Sequence, residues 1–384
     1  MNRRDCLITG LSAAAMVPAM RASAAQGVCA SAVKAVWTSP SCTSVDKSKD
    51  REALKIERST LVVDGLDPSA LTEKYLPMLK SGGVDCWHES VGGLASFARV
   101  LSFLDKNSET IVGAGTVREI RQIHEQGKIA HICGWQSAGP LLSDANGRVE
   151  LGNLRAYHRL GLRIAGIAYN NSNIFGGGCI DPDVPLTVMG RRYVEEVHKQ
   201  RLLLDCCGHT NDRTGIDAIR ISPGVPVICS HTNVKALNNN PRNISDKAIE
   251  AIAKTGGVVG LTSDSDLIDR SIYDANVPHS PQVGLGKLLD QFDYVKKLVG
   301  ADYVGIGPDF MTGRTDLNKL GMQRQLWPAD IYSAWPWKMV KGFETIVQLP
   351  NLVQGLLNRG WSVPDVRKVL GENWLRVYEK AWGA

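Results

Sequence analysis

The sequence predicts an α/β fold, a (β/α)8 TIM-like barrel, from three observations. Short apolar runs with β-branched members recur at Leu61–Val63, Val84–Trp87, Ile129–Cys133, Ile164–Ala168, Leu202–Leu204, Val225–Cys229, Val258–Leu261 and Tyr303–Ile306. They are continuously apolar rather than alternating, as parallel strands covered by helices are. Polar residues follow the late runs at corresponding points, among them His209, His231 and Asp309.

The segments between runs have helical character. Tyr193, Val194 and Val197 recur at helical spacing against Glu195, Glu196 and Lys199. Glycines at Gly82-Gly83, Gly127, Gly161, Gly224 and Gly256-Gly257 stand where a helix hands over to a strand. The rival layout, an open doubly wound sheet, needs a glycine-rich phosphate turn after an early strand. Gly176-Gly177-Gly178 follows the fourth run and lacks that spacing.

Residues 1–25 read as a twin-arginine export signal: Arg3-Arg4, a weakly apolar stretch, then Ala22-Ser23-Ala24-Ala25. The expected location is therefore the periplasm. Residues 26–58 form a polar lead, and residues 59–384 form the barrel. An aromatic insertion at about 311–337 carries Trp327, Tyr332, Trp335 and Trp337, either as a wall over the site or as a packing or dimer contact.

Hydrophobic residues make up 43% and charged ones 22% of the chain. With no apolar run near the roughly 20 residues of a membrane-spanning helix, it reads as a globular protein without a membrane span. The net charge of +5 is too small to imply nucleic acid. Cys86, Cys133, Cys206, Cys207 and Cys229 lie in or beside apolar runs and read as buried thiols, which leaves Cys29 and Cys42 as the one plausible disulfide pair.

In a barrel the strand C-termini share one face, so Asp64, His88, Gln136, Asn170, His209, His231 and Asp309 should surround one cavity. Two histidines and a carboxylate suit zinc with an open water position. Asp309 then serves either as a ligand or as the acid/base group.

These residues also carry a resemblance. The stretches PVICSHTN around His231, PRNISD around Arg242, VGIGPDF around Asp309, LGLRIAGIAYNNSN through Asn170 and the terminal GENWLRVYEKAW resemble the membrane (renal) dipeptidase family of zinc metallopeptidases. The resemblance implies a barrel in which a zinc pair hydrolyses dipeptides and related small amides, often as a homodimer. It places His209 and His231 on one zinc, Asp309 as the acid/base group and Arg242 on the substrate carboxylate, beside Asn170 and Gln136. Counted back from Arg213-Thr214, the stretch to His209 carries one extra residue, read as Gly208 in a local bulge.

The departures concern the other zinc. The family's first strand ends in Asp-Gly-His-x-Asp, whereas this chain has Asp64-Gly65-Leu66-Asp67-Pro68, and Gln136 replaces the bridging glutamate. Leu66 and Pro68 cannot coordinate, and a neutral amide cannot offset two divalent charges. Three outcomes stay open: one zinc on His209, His231 and Asp309 or Gln136; no catalytic metal; or a pair rebuilt with Asp64, Asp67, His88 or Cys207. The expected activity is a dipeptidase-like hydrolysis of a small carboxylate-bearing amide, with a non-peptidase or metal-free use of the barrel as the alternative.

Overall fold

The computed structural model describes residues 48–142, 149–270, 282–314, 323–329, 331–333 and 335–383. The export segment, the Cys29 and Cys42 pair and part of the insertion lie outside them. Strands β1 (Val62–Asp64), β2 (Val84–Ser90), β3 (Ile111–Gly113), β4 (Ile129–Trp135), β5 (Leu162–Gly166), β6 (Leu203–Asp205), β7 (Val227–Thr232), β8 (Val258–Leu261) and β9 (Val304–Ile306) form one parallel sheet. Its order is β1-β2-β4-β5-β6-β7-β8-β9, with β3 paired to β4 off the main path. The eight path strands coincide with the eight apolar runs, so the expected (β/α)8 barrel is the observed fold. β3 is additional: three residues give too little periodicity to register as a strand.

The ring closes between β9 and β1 through hydrogen bonds at and just past the strand ends. Gly65 N donates to Ile306 O at 3.0 Å and Asp309 N donates to Leu66 O at 3.0 Å. The interior below the site is filled by Val63, Cys86, Ala130, Ile132, Ile164, Leu203, Ile228 and Val258, against which the last helix, Asn373–Trp382, inserts Trp374 and Tyr378. Trp374 fits because its neighbours lack side chains: a Cβ at Gly65 would stand 2.3 Å from its ring, and one at Gly305 2.5 Å. Its indole N–H donates to Ile306 O at 3.1 Å. The GENWLRVYEKAW stretch is thus the plug of the barrel floor.

The helices form the outer layer, with caps supplied as helix chemistry requires. Asn211 and Ser245, for instance, accept from the N–H groups of Thr214 and Ala248. Helix Ser48–Arg58 falls in the stretch expected as a lead, yet Ala53 and Ile56 are buried in the outer core. The folded unit therefore starts earlier than residue 59. No helix among the described residues is long and apolar enough to cross a membrane. Cys86, Cys133, Cys206, Cys207 and Cys229 are buried free thiols.

Candidate functional site

The site is built from residues at the C-terminal ends of the path strands. His88 comes from β2 and His231 from β7, while His209 and Asp309 lie just past β6 and β9. All four are buried. The His209 and His231 rings lie 4.9 Å apart between centroids, and Tyr169 stacks on His209 at 3.9 Å.

Each of the three histidines is fixed by what its Nδ1 touches. His88 Nδ1 lies 2.5 Å from Gly65 O, a carbonyl that can only accept, so Nδ1 carries the proton. His231 Nδ1 lies 2.7 Å from Ser230 Oγ, whose own hydrogen goes to Asp205 Oδ2 at 2.5 Å, so this Nδ1 donates too. His209 Nδ1 donates to Asn170 Oδ1 at 2.7 Å. Every Nε2 therefore keeps its lone pair, and those of His88 and His231 are buried without a partner. Gly134 leaves room for the His88 ring, since a Cβ there would stand 1.9 Å from Nε2.

Burial holds all three rings neutral. It lowers His88 to about 4, and together with the Arg242 charge it pushes His209 and His231 well below the ordinary imidazole range. Carboxyl groups move the other way. Burial raises Asp309 to about 7 against the pull of Arg242, with Asp67 adding to the rise. Burial likewise raises Asp67 to about 6 and Asp64 well above the usual range.

Arg242 is buried at 1% exposure. Nη2 donates to His231 O at 3.0 Å, whereas Nη1 has no partner. Gly208, at φ 86°, makes the space: a Cβ there would stand 2.3 Å from Nη1. Gly208 is thus a left-handed glycine under the guanidinium, a conformation open to it because it has no Cβ. An unpaired guanidinium nitrogen in a buried site is a ready donor to a carboxylate.

The other candidates are placed as follows. Leu66 and Pro68 are buried, and Leu66 meets the site through its carbonyl. Asp64 Oδ1 accepts from Leu66 N at 3.2 Å, leaving Oδ2 unpartnered. Asp67 accepts from Ser69 N at 2.8 Å and from the Tyr75 hydroxyl. Gln136 follows β4 half-buried, with its carbonyl against Gly166. Cys207 packs on Cys206 Sγ at 3.8 Å and against Gly215. Asn170 is fully buried, with both ends of its carboxamide engaged inside the protein. Sequence reasoning missed Asp205, Ser230 and Tyr169. Asp205 is the polar residue that ends its apolar run, the signal used for the other strands.

Residues 91–325 and 335–382 match the profile described as membrane dipeptidase (peptidase family M19). The chain belongs to the membrane dipeptidase family. The match begins after β1 and β2, the two strands beside the departures. Among family relatives, dipeptidase tcpJ of Claviceps purpurea (strain 20.1) is 26% identical over 267 residues, 67% of this chain and 52% of its own. The match thus spans about half of that relative. The crystal structure of an amidohydrolase from Pseudomonas aeruginosa superposes with a TM-score of 0.76 at 27% identity, covering 86% of this chain and 99% of that one. A metallo peptidase from Rhodobacter sphaeroides, liganded with a phosphinate mimic of the dipeptide L-Ala-D-Ala, shares the fold at TM-score 0.66 and 21% identity over 84% of this chain and all of that one.

The family's members are dipeptidase-like, metal-dependent hydrolases. At the two positions that the resemblance gives to ligands of one ion stand Leu66 and Pro68, whose side chains cannot coordinate. His231 Nε2 is buried, unprotonated and, among the described residues, unpartnered beside a second imidazole in the same tautomer, a donor that suits a metal ion. Among the described residues no three His, Cys, Asp or Glu side chains are already grouped to hold one.

Proposed function

We propose that this protein is a dipeptidase-like hydrolase that cleaves a small amide bearing a free carboxylate, with one zinc ion rather than two. The observation that carries this reading is the unpartnered Arg242 Nη1, buried beside two neutral histidines and Asp309. The names of the relatives, dipeptidase and amidohydrolase, support the same class of reaction.

His209 and His231 would hold the ion through Nε2. When bound, such an ion makes its water acidic enough to attack a carbonyl near neutral pH. Arg242 orients the substrate by its carboxylate. Asp309, raised to about 7, exchanges a proton at neutral pH, taking one from the attacking water and returning it to the leaving amine. Asp205 and Ser230 keep the His231 ring in register.

The test is zinc content of the protein purified without added metal, together with turnover of a dipeptide panel with and without chelator. About one zinc per chain and chelator-sensitive hydrolysis, lost in Asp309→Asn, are expected. Absence of both metal uptake and hydrolysis after zinc or manganese addition would sink the reading.

A second reading, a binding site for a small carboxylate without metal chemistry, is favoured by the two apolar side chains at the ligand positions. It predicts thermal stabilisation by amino acids or dipeptides that survives chelation and His231→Ala. The export reading of residues 1–25 belongs to the same proposal: Arg3→Lys with Arg4→Lys should leave the protein in the cytoplasmic fraction.

A further inference from the structure

Tyr169, Asn170 and Asn171, three consecutive residues past β5, each hold the same distant segment. Trp327 Nε1 donates to Tyr169 Oη at 3.0 Å. Asn170 Nδ2 donates to Leu326 O at 2.6 Å, and Asn171 Nδ2 to Gln325 O at 3.2 Å. Two of the three also hold His209: Tyr169 stacks on its ring and Asn170 Oδ1 faces its Nδ1 at 2.7 Å. Segment and histidine thus share their supports.

The orientation of the Asn170 carboxamide follows from that sharing. The Leu326 carbonyl can only accept, so the end of the amide facing it must be the NH2 group. The oxygen is thereby turned to His209, where it also receives the Cys179 thiol at 3.2 Å. Facing an acceptor, His209 Nδ1 must carry the proton, and Nε2 is left with the lone pair. Asn170 sits at φ 55°, a left-handed conformation that asparagine tolerates better than most residues.

We propose that Asn170 is a positioning residue that makes the seating of the Gln325–Trp327 segment select the tautomer of His209. With the segment seated, Nε2 is an acceptor or ligand nitrogen. With Leu326 O withdrawn, the carboxamide loses the acceptor that fixes its NH2 end, and when it turns, giving up the Cys179 thiol as donor to its oxygen, its NH2 faces Nδ1 and favours the Nε2–H tautomer, whose Nε2 cannot bind a cation. The use made of Nε2 rests on the hydrolase reading above, whereas the tautomer and its coupling do not.

The experiment is long-range 1H–15N correlation on the full chain labelled with 15N-histidine, with His209 assigned by loss of its signals in His209→Gln. It requires neither metal nor turnover, so it can fail or succeed apart from the hydrolase reading. The wild-type protein is expected to show protonated Nδ1 at His209. In Asn170→Ala, Tyr169 still stacks on the ring, and the Nε2–H form should become the larger population. In Asn170→Asp the carboxylate keeps Nδ1–H but cannot donate to Leu326 O. Amide exchange across Gln325–Trp327 should rise at least tenfold in both variants. Nε2–H in the wild-type protein, Nδ1–H retained in Asn170→Ala, or unchanged exchange in Asn170→Asp would each overturn the proposal. The aspartate variant carries the test alone if the alanine variant does not fold.

Discussion

Single residues decide what this site can recognise. Arg242 was legible as a candidate only through the PRNISD stretch, because its charge sits in a polar loop that sequence alone would leave on the surface. Burial, and the glycine cleared for it at position 208, come from the tertiary structure. If Nη1 binds a carboxylate, Arg242→Ala should raise KM for a dipeptide roughly 10- to 100-fold, from the roughly 1.5–3 kcal/mol of a hydrogen bond to a charged group. The C-terminal amide of the same dipeptide, which lacks the charge, should lose far less. Equal losses for the two substrates would argue against the assignment. The histidines illustrate the opposite limit: their positions were readable as strand ends, but their tautomers depend on Gly65, Ser230 and Asn170, contacts that no spacing rule encodes.

Among elements, the eight path strands were readable because each is a continuous apolar run, five of them preceded by helix-stop glycines. β3 and helix Ser48–Arg58 were not. The first is three residues long, and the second is polar on the exposed face of a short segment. The C-terminal helix was matched as a family motif, and the structure gives it a physical role. Trp374 fills the barrel floor against glycines whose side chains would collide with it. Trp374→Ala should therefore cost about 3–5 kcal/mol, the range for removing a large buried aromatic side chain, measurable as a lower denaturant midpoint. A cost below about 1 kcal/mol would mean that the floor does not depend on the indole.

Across the whole molecule, buried acids and bases make stability depend on pH. Glu57, outside the site, shows the sign most simply. Burial raises it to about 7, and Oε2 has no partner. Between its ordinary value and about 7 the folded chain keeps this proton while the unfolded chain releases it, so folding takes up a proton and stability falls as pH rises through the window. Glu57→Gln should raise the melting temperature at pH 8 and leave it nearly unchanged at pH 4. The site histidines His88, His209 and His231 act oppositely: lowered in the fold, they add stability as pH rises towards their ordinary value. The wild-type profile sums such groups, and only the variant isolates one of them.

The closing seam of the barrel carries a mechanical consequence. β9 and β1 are joined at and past their ends rather than by a strand ladder, and one of the bonds is the amide of Asp309 on the carbonyl of Leu66. Parting the staves at this joint would carry the aspartate with it. Leu66, whose side chain cannot coordinate, is the cleat to which Asp309, the proposed acid/base residue, is tied, so the backbone geometry of the joint is constrained whatever its side-chain chemistry.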